Sequence, residues 1–144
     1  MSAYAPQPGK APWVGAGVGA IIVDGDWVLL LKRTKEPEAG CWGIQGGAIE
    51  FGETTEEAAR RELREELGVE CEIVRLLGIT DHILPGEGIH WISPVFLAKL
   101  ETGTPKDAEP EKHSEMRWFD LEDLPERTTL PTKNAIYLLR EHFQ

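Results

Sequence analysis

Cysteine, long apolar runs and basic charge are scarce in this chain, and each shortage excludes a class of protein. Only two of the 144 residues are cysteine, which is too few for a disulfide framework, and Cys41 and Cys71 lack the paired spacing of a metal site. Apolar runs such as Val28 to Leu31 are far too short to cross a bilayer. Residues 1–12 contain no apolar core of the kind a secretory signal needs. We therefore expect a cytoplasmic protein with no membrane partner.

Basic residues are outnumbered, with 15 Lys and Arg against 25 Asp and Glu, so the formal net charge is −10. Binding of long nucleic acid requires clustered cations that meet the phosphates, and this charge balance argues against it. A small phosphate ester held through metal ions stays compatible, because the acidic excess attracts a cation and the cation attracts the phosphate.

The remaining composition fits one globular domain. Hydrophobic residues make up 41% of the chain and charged residues 28%, which argues against global disorder. A length of 144 residues suffices for one substantial core and is short for two domains. We expect a flexible segment over residues 1–12 and a single domain over residues 13–144, and the sequence leaves a homodimer open.

Apolar patterning predicts strands and two helices. Asp24-Gly25-Asp26 lies between two β-type runs and predicts a hairpin. Thr54 and Glu57 have capping-box spacing and Gly68 suits a helix end, which together predict a helix over Thr55 to Leu67. The predicted strands are Val14 to Val23, Trp27 to Leu31, Glu70 to Ile83, Ile89 to Leu100 and Met116 to Phe119, with a loop over Lys32 to Gly40 and a closing helix over Asn134 to Phe143.

Three glutamates crowd one face of the first predicted helix. Each helical residue advances about 100°, so Glu62, Glu65 and Glu66 fall within a wedge of roughly 100°. Like charges this close disfavour joint ionisation unless a cation lies between them. The helix also has apolar residues at four-residue spacing that would pack on a sheet. We therefore expect the glutamates to line the rim of the core.

The residue types around this wedge suit a divalent metal that acts on a diphosphate. Hard cations such as Mg²⁺ prefer carboxylate oxygens and are commonly shared with substrate phosphates. Such an ion could neutralise a leaving group and lower the pKa of water, which leads to hydrolysis. Gly46-Gly47 permits a backbone geometry that turns a carbonyl toward the metal and lets a phosphate approach. Arg61, one turn from Glu57 and Glu65, can hold a carboxylate in place.

The stretch from Gly47 to Val69 resembles the Nudix box, the signature of the Nudix hydrolases, at every defined position. Its pattern is Gly47, five residues, Glu53, seven residues, Arg61-Glu62-Leu63, one residue, Glu65-Glu66, one residue, Gly68-Val69. The resemblance implies an α/β fold in which a mixed sheet lies between helices, an α/β/α sandwich. It also implies a hydrolase that binds Mg²⁺ or Mn²⁺ and cleaves a small nucleotide at a diphosphate linked to another moiety.

The same resemblance assigns roles to the residues of the box. The implied metal ligands are the Gly46 carbonyl, Glu62, Glu65 and Glu66. One of these glutamates would also serve as general base, and the choice among them stays open. Arg61 would orient Glu53 or another carboxylate of the box. Many relatives have Pro-Gly-Gly where this chain has Gln45-Gly46-Gly47, so the stiffening proline is missing from this turn.

The stretch from Glu109 to Pro125 is similar to a Nudix subgroup that cleaves nucleoside triphosphates. The likeness rests on Glu109-Pro110-Glu111-Lys112, Trp118-Phe119 and Leu124-Pro125. It implies one more metal ligand or base shortly before the strand that carries Trp118, for which we favour Glu111 over Glu115. Arg33 resembles the family's basic residue near the phosphates, and Trp91 is our candidate contact for the base.

These patterns predict a nucleotide pyrophosphatase, a hydrolase of phosphoric anhydride bonds that turns a nucleoside triphosphate into a monophosphate and pyrophosphate. ADP-ribose or another nucleotide sugar is the competing substrate. Two further hypotheses are a nucleotide-sensing module that does not cleave and an interaction protein that docks through the acidic helix. A solvated helix face is the ordinary explanation of an acidic run, but it does not account for the complete spacing of the box.

Overall fold

The computed structural model describes residues 13–143, and the segment expected to be flexible, residues 1–12, lies outside them. Residues 13–143 form a seven-stranded mixed sheet and two α-helices. The elements are β1 Gly15–Asp24, β2 Trp27–Arg33, β3 Trp42–Gly43, β4 Gln45–Ala48, α1 Thr55–Leu67, β5 Glu70–Leu84, β6 Ile89–Thr102, β7 His113–Asp120 and α2 Leu130–His142. A 3-10 turn, Pro85–Glu87, joins β5 to β6. No helix within residues 13–143 is long and apolar enough to cross a membrane.

Strand β1 lies at the centre of the sheet. The strand order is β3-β2-β1-β6-β5, with β4 also paired to β1 and β7 to β2. β1 and β6 run parallel, and the other strand pairs between residues 13 and 143 are antiparallel. β4 pairs with the first half of β1, where Gly17 faces Ala48, while β2 pairs with its end through the predicted hairpin, where Asp24 faces Trp27. The sheet therefore divides near the middle of β1.

Each face of the sheet is covered by one helix. Successive strand residues point to opposite faces, so the continuous apolar runs of β1 and β2 are buried on both sides. On one face the strands present Ala20, Ile22, Leu29 and Leu31 to Leu63 and Leu67 of α1. On the other face they present Ile21, Val28 and Leu30 to Ala135, Ile136 and Leu139 of α2. The predicted α/β fold and its α/β/α layering are confirmed.

Helix α1 spans the predicted residues because both of its ends are capped. The Thr54 hydroxyl accepts a hydrogen bond from the Glu57 N–H at 3.2 Å, and the Glu57 carboxylate accepts one from the Thr54 N–H at 3.1 Å. Gly68 ends the helix in the left-handed region at φ 68°, a conformation that glycine adopts at little cost. The box helix is thus set by local sequence.

Two predicted boundaries were wrong by more than two residues. Helix α2 begins at Leu130 and not at Asn134, because Thr129 caps it, accepting from the Thr132 N–H at 3.3 Å. Pro131 lies in the first turn, where a missing N–H costs nothing. Strand β7 begins before the predicted Met116, since its pairing with β2 extends to His113. Strands β3 and β4 were not predicted as strands, and β4 carries Gly46 and Gly47.

Candidate active site

A cavity of about 480 Å³ lies where the sheet divides beside β1. This volume is within the range that small-molecule ligands occupy. One group of lining residues comes from β4 and α1: Gly46, Gly47, Arg61, Glu62, Glu65 and Glu66. A second group comes from the end of β2 with its following loop, β5 and β6: Arg33, Glu38, Thr80, His82, Trp91 and Ser93.

Arg61 organises the acidic group of lining residues. Its guanidinium donates to both carboxylate oxygens of Glu53, at 2.6 and 2.9 Å. It also donates to Glu62 at 2.9 Å, to Glu65 at 3.2 Å and to the Ala48 carbonyl at 2.9 Å. The planar fork of arginine suits this arrangement, since it can bind one carboxylate at two points and still reach others. Arg61 therefore ties α1 to the end of β4.

Both side chains of the Arg61–Glu53 pair are ionised. Hydrogen bonding to Arg61 lowers the pKa of Glu53 to about 2, although partial burial opposes the shift. Hydrogen bonding to Glu53 in turn raises the pKa of Arg61. The two shifts have the directions expected of an ion pair, so Glu53 is ionised at neutral pH.

Among the acids of the box, Glu62 and Glu66 are those whose negative charge the surrounding protein stabilises least. Glu66 is 7% exposed, and burial raises its pKa well above the ordinary value, with the charge of Glu62 adding to the rise. Burial also raises the pKa of Glu62, despite the opposing effect of Arg61. Glu66 accepts a long hydrogen bond of 3.4 Å from the Gly46 N–H. A bound cation would favour the ionised form of both groups.

The two glycines of β4 leave the space that these acids need. A Cβ placed on Gly47 would overlap the Glu62 carboxylate, and one placed on Gly46 would overlap the Val18 carbonyl. A side chain at position 46 would therefore push β1 away from β4, and one at position 47 would displace the Glu62 carboxylate. Only glycine allows the carboxylates and the backbone of β4 to approach so closely.

The chemistry of the donor set fits a divalent cation. Mg²⁺ and Mn²⁺ take carboxylate and carbonyl oxygens, and Glu62 and Glu66 form a pair with too little positive charge around it. Between residues 13 and 143, no three acidic, histidine or cysteine side chains converge on one point. Glu62 and Glu65 are held by Arg61, and the Glu65 side chain is half exposed.

The segment after β6 brings the charge of Glu109 close to the acidic group. The N–H groups of Lys106 and Ala108 donate to the last carbonyls of α1, at 3.1 and 2.9 Å, which anchors the segment there. After burial, the charge of Glu109 is among the causes that raise the pKa of the box acids. Glu109 accepts from Lys112 Nζ at 2.9 Å and, like Glu111, lies outside the cavity lining. Glu111 and its competitor Glu115 are exposed.

The two predicted substrate contacts both line the cavity. The Nε of Arg33 donates to the Pro37 carbonyl at 2.8 Å, which fixes the start of the loop after β2. Trp91 is only 4% exposed and packs edge-to-face on Trp13, with ring centroids 5.6 Å apart. Trp91 is therefore a wall of the cavity that offers little surface for stacking on a base.

Comparison with known proteins places the chain in a family. A family model described as the NUDIX domain matches residues 13–139. The chain belongs to the Nudix family. This Nudix chain is 42% identical to a MutT NUDIX hydrolase from Burkholderia pseudomallei, whose crystal structure superimposes with a TM-score of 0.85 over 88% of this chain and 98% of that one.

Two curated relatives carry different substrate names. An ADP-ribose pyrophosphatase of Methanocaldococcus jannaschii is 38% identical over 108 residues, which cover 75% of this chain and 63% of that protein. An 8-oxo-dGDP phosphatase of Mus musculus is 36% identical over 117 residues, which cover 79% of this chain and 34% of that protein. This Nudix chain thus spans less than two thirds of the length of either relative.

Sequence reasoning missed polar residues that this Nudix chain brings to the cavity from distant segments. Glu38 and His82, which are 44 residues apart, form a hydrogen-bonded pair in its wall. His113, at the start of β7, also lines the cavity, and its buried Nδ1 makes no hydrogen bond with any described residue. No local spacing links these residues, so the signal that unites them exists only in the folded chain.

Proposed function

We propose that this Nudix protein is a pyrophosphohydrolase dependent on a divalent metal, which converts a nucleoside triphosphate into a monophosphate and pyrophosphate. The observation that carries the proposal is that Glu62 and Glu66 lie side by side in the wall of a cavity large enough for a nucleotide, with too little positive charge around them to balance their own. Family membership supports hydrolysis of a phosphoric anhydride bond. The likeness of the Glu109 to Pro125 stretch to the triphosphate-cleaving subgroup supports the substrate.

The metal-holding residues in this proposal are the three box glutamates and the Gly46 carbonyl. Glu109 is a further candidate from its position beside the box, and Glu111 is the candidate from resemblance. When bound, Mg²⁺ or Mn²⁺ neutralises charge on the phosphates and lowers the pKa of a water molecule.

The chain's own residues then bind and orient. Arg61 keeps Glu53 ionised and holds α1 against β4, so the box carboxylates keep a fixed direction. Gly46 and Gly47 let a phosphate approach the backbone, and Arg33 brings positive charge to the cavity. One of the box glutamates Glu62, Glu65 and Glu66 would serve as general base.

Hydrolysis of ADP-ribose or another nucleotide sugar is the second candidate function. The specific observation in its favour is the Methanocaldococcus jannaschii relative, which is named ADP-ribose pyrophosphatase. The same acidic group would act on the same type of bond, and only the moiety beyond the diphosphate would differ. The products distinguish the two candidates, because the first yields pyrophosphate and the second yields AMP and a sugar phosphate.

A nucleotide panel tests the proposal. Purified protein with Mg²⁺ is incubated with ribo- and deoxyribonucleoside triphosphates, ADP-ribose and UDP-glucose, and the products are separated by anion-exchange chromatography. We expect a monophosphate and pyrophosphate in equal amounts, and no product from the Glu66→Gln variant prepared in parallel. Absence of product from every compound, with either Mg²⁺ or Mn²⁺, would contradict both candidates, and binding without cleavage would favour a sensing module.

A further inference from the structure

Glu38 links three segments in a wall of the cavity: its own loop after β2, strand β5 and the start of α2. Its φ of 62° lies in the left-handed region, which is unfavourable for a residue other than glycine. Two hydrogen bonds hold it there. Glu38 Oε1 lies 2.9 Å from His82 Nε2 on β5, and Glu38 Oε2 accepts from the Leu130 N–H at the start of α2 at 2.7 Å.

This geometry determines which nitrogen of His82 carries the hydrogen. Burial tends to raise the pKa of Glu38, but the hydrogen bonds with His82 and Leu130 outweigh it and place the pKa below its ordinary value. An ionised carboxylate can only accept hydrogen bonds. The hydrogen therefore lies on Nε2 of His82, and in the neutral ring Nδ1 is left with a lone pair.

His82, whose Nδ1 carries this lone pair, lines the cavity. Within residues 13–143, Nδ1 of His82 makes no hydrogen bond. The neighbouring wall combines apolar and neutral polar groups: His82 is paired across the strands with Trp91, and the space is also lined by Ile89, Val95, Thr80 and Ser93. A flat group with an apolar face and a polar edge suits this wall, whereas a phosphate would be drawn to the Arg33 guanidinium, whose charge acts on Glu38.

We propose that His82, with its tautomer set by Glu38, is a specificity-determining residue that accepts a hydrogen bond from the edge of the nucleobase. A base that presents an amino or imino N–H at this point would bind more tightly than one that presents a carbonyl, because two acceptors would then face each other. Glu38 acts through His82 and is a positioning residue. The inference rests on the proposed function only in that the ligand is a nucleotide.

Glu38→Gln tests this proposal because it should reverse the preference of His82 between bases that donate and bases that accept a hydrogen bond. The Leu130 N–H requires an acceptor, so the amide oxygen of the new side chain turns toward Leu130 and its NH₂ group toward His82. Nε2 of His82 must then accept, which moves the ring hydrogen to Nδ1 and makes that nitrogen a donor. A residue with a purely structural role would not change the sign of a preference between two matched bases.

The probes are two pairs of nucleoside monophosphates, CMP with UMP and AMP with IMP. Each pair exchanges an amino donor for a carbonyl acceptor at one position and a ring-nitrogen acceptor for an N–H donor at the adjacent one, and none contains an anhydride bond to cleave. Affinities are measured by calorimetry at pH 8 in Mg²⁺. In at least one pair, we expect the wild type to favour the member that presents an N–H to His82 roughly tenfold, and Glu38→Gln to favour the other member. His82→Phe should reduce the ratio to about one, because it removes the lone pair.

His90→Phe is the matched control, since His90 lies on β6 outside the cavity lining, and its affinity ratios should equal those of the wild type. Thermal unfolding of each variant verifies folding, and the nearly isosteric Glu38→Gln decides the question if His82→Phe does not fold. Equal affinities within both pairs in the wild type, or ratios unchanged in Glu38→Gln, would overturn the inference. If the ratios behave as expected but no nucleotide is hydrolysed, the proposed function fails and this inference stands.

Discussion

Removal of the Arg61 guanidinium should destabilise the fold. Arg61→Ala deletes five hydrogen bonds, four of them to carboxylates. Loss of one partner of a buried ion pair costs about 3–5 kcal/mol, and exposed pairs are worth about 1 kcal/mol or less. The Arg61 side chain is 16% exposed, so we expect a loss of about 2–4 kcal/mol, nearer the buried case.

The assay is urea unfolding without divalent metal, and the free energy of unfolding is compared between variants. Arg60→Ala is the matched control, because Arg60 is the exposed neighbour on the same helix, and it should change stability by less than about 0.5 kcal/mol. Arg61→Lys keeps the charge and loses the fork, so it should fall between the two. A loss below about 1 kcal/mol for Arg61→Ala would refute the view that this residue holds the acidic group together.

Three further predictions follow from the same group of acids. Glu66→Gln keeps the shape of the side chain and removes a buried charge, so turnover should fall by more than the 10–100-fold typical of an outer-shell partner. The free energy of unfolding without metal should stay equal or rise. Near-normal turnover would show that Glu66 is not a metal ligand. Glu53 has a pKa of about 2 against an ordinary 4.5, so its stabilising effect is complete above pH 4.5 and is lost as the pH falls through about 2. The stability difference between wild type and Glu53→Gln, measured by urea unfolding, should shrink over that interval, and a difference independent of pH would contradict the ion pair. Glu109→Gln should weaken Mg²⁺ binding, measured by calorimetry, more than Glu111→Gln, and equal effects would argue against the placement of Glu109.

Local sequence predicted the parts of the molecule that local interactions determine. Helix α1 could be bounded to the residue because Thr54, Glu57 and Gly68 form its caps within the same short stretch. The buried runs of β1 and β2 followed from their apolar residues alone. The crowding of the three box glutamates also followed from helical geometry, before any neighbouring element was known.

The rest depended on contacts between distant segments. The hydrogen bond between Glu38 and His82 joins residues 44 positions apart, and no spacing rule links a loop to a strand that far away. The position of Glu109 close to the acidic group depends on how the segment after β6 attaches to the end of α1. In an irregular segment, no period indicates which side chain turns inward, so resemblance alone favoured Glu111.

The most direct test of the central claim is turnover of the best panel substrate by wild type and Glu66→Gln, with Mg²⁺ and with EDTA in its place. We predict that a monophosphate and pyrophosphate form only from the wild type with Mg²⁺, and that Mg²⁺ raises the unfolding temperature of the wild type more than that of the variant. Equal turnover in EDTA, or in a folded Glu66→Gln variant, would contradict the claim that the buried glutamates of α1 hold the metal that the reaction needs.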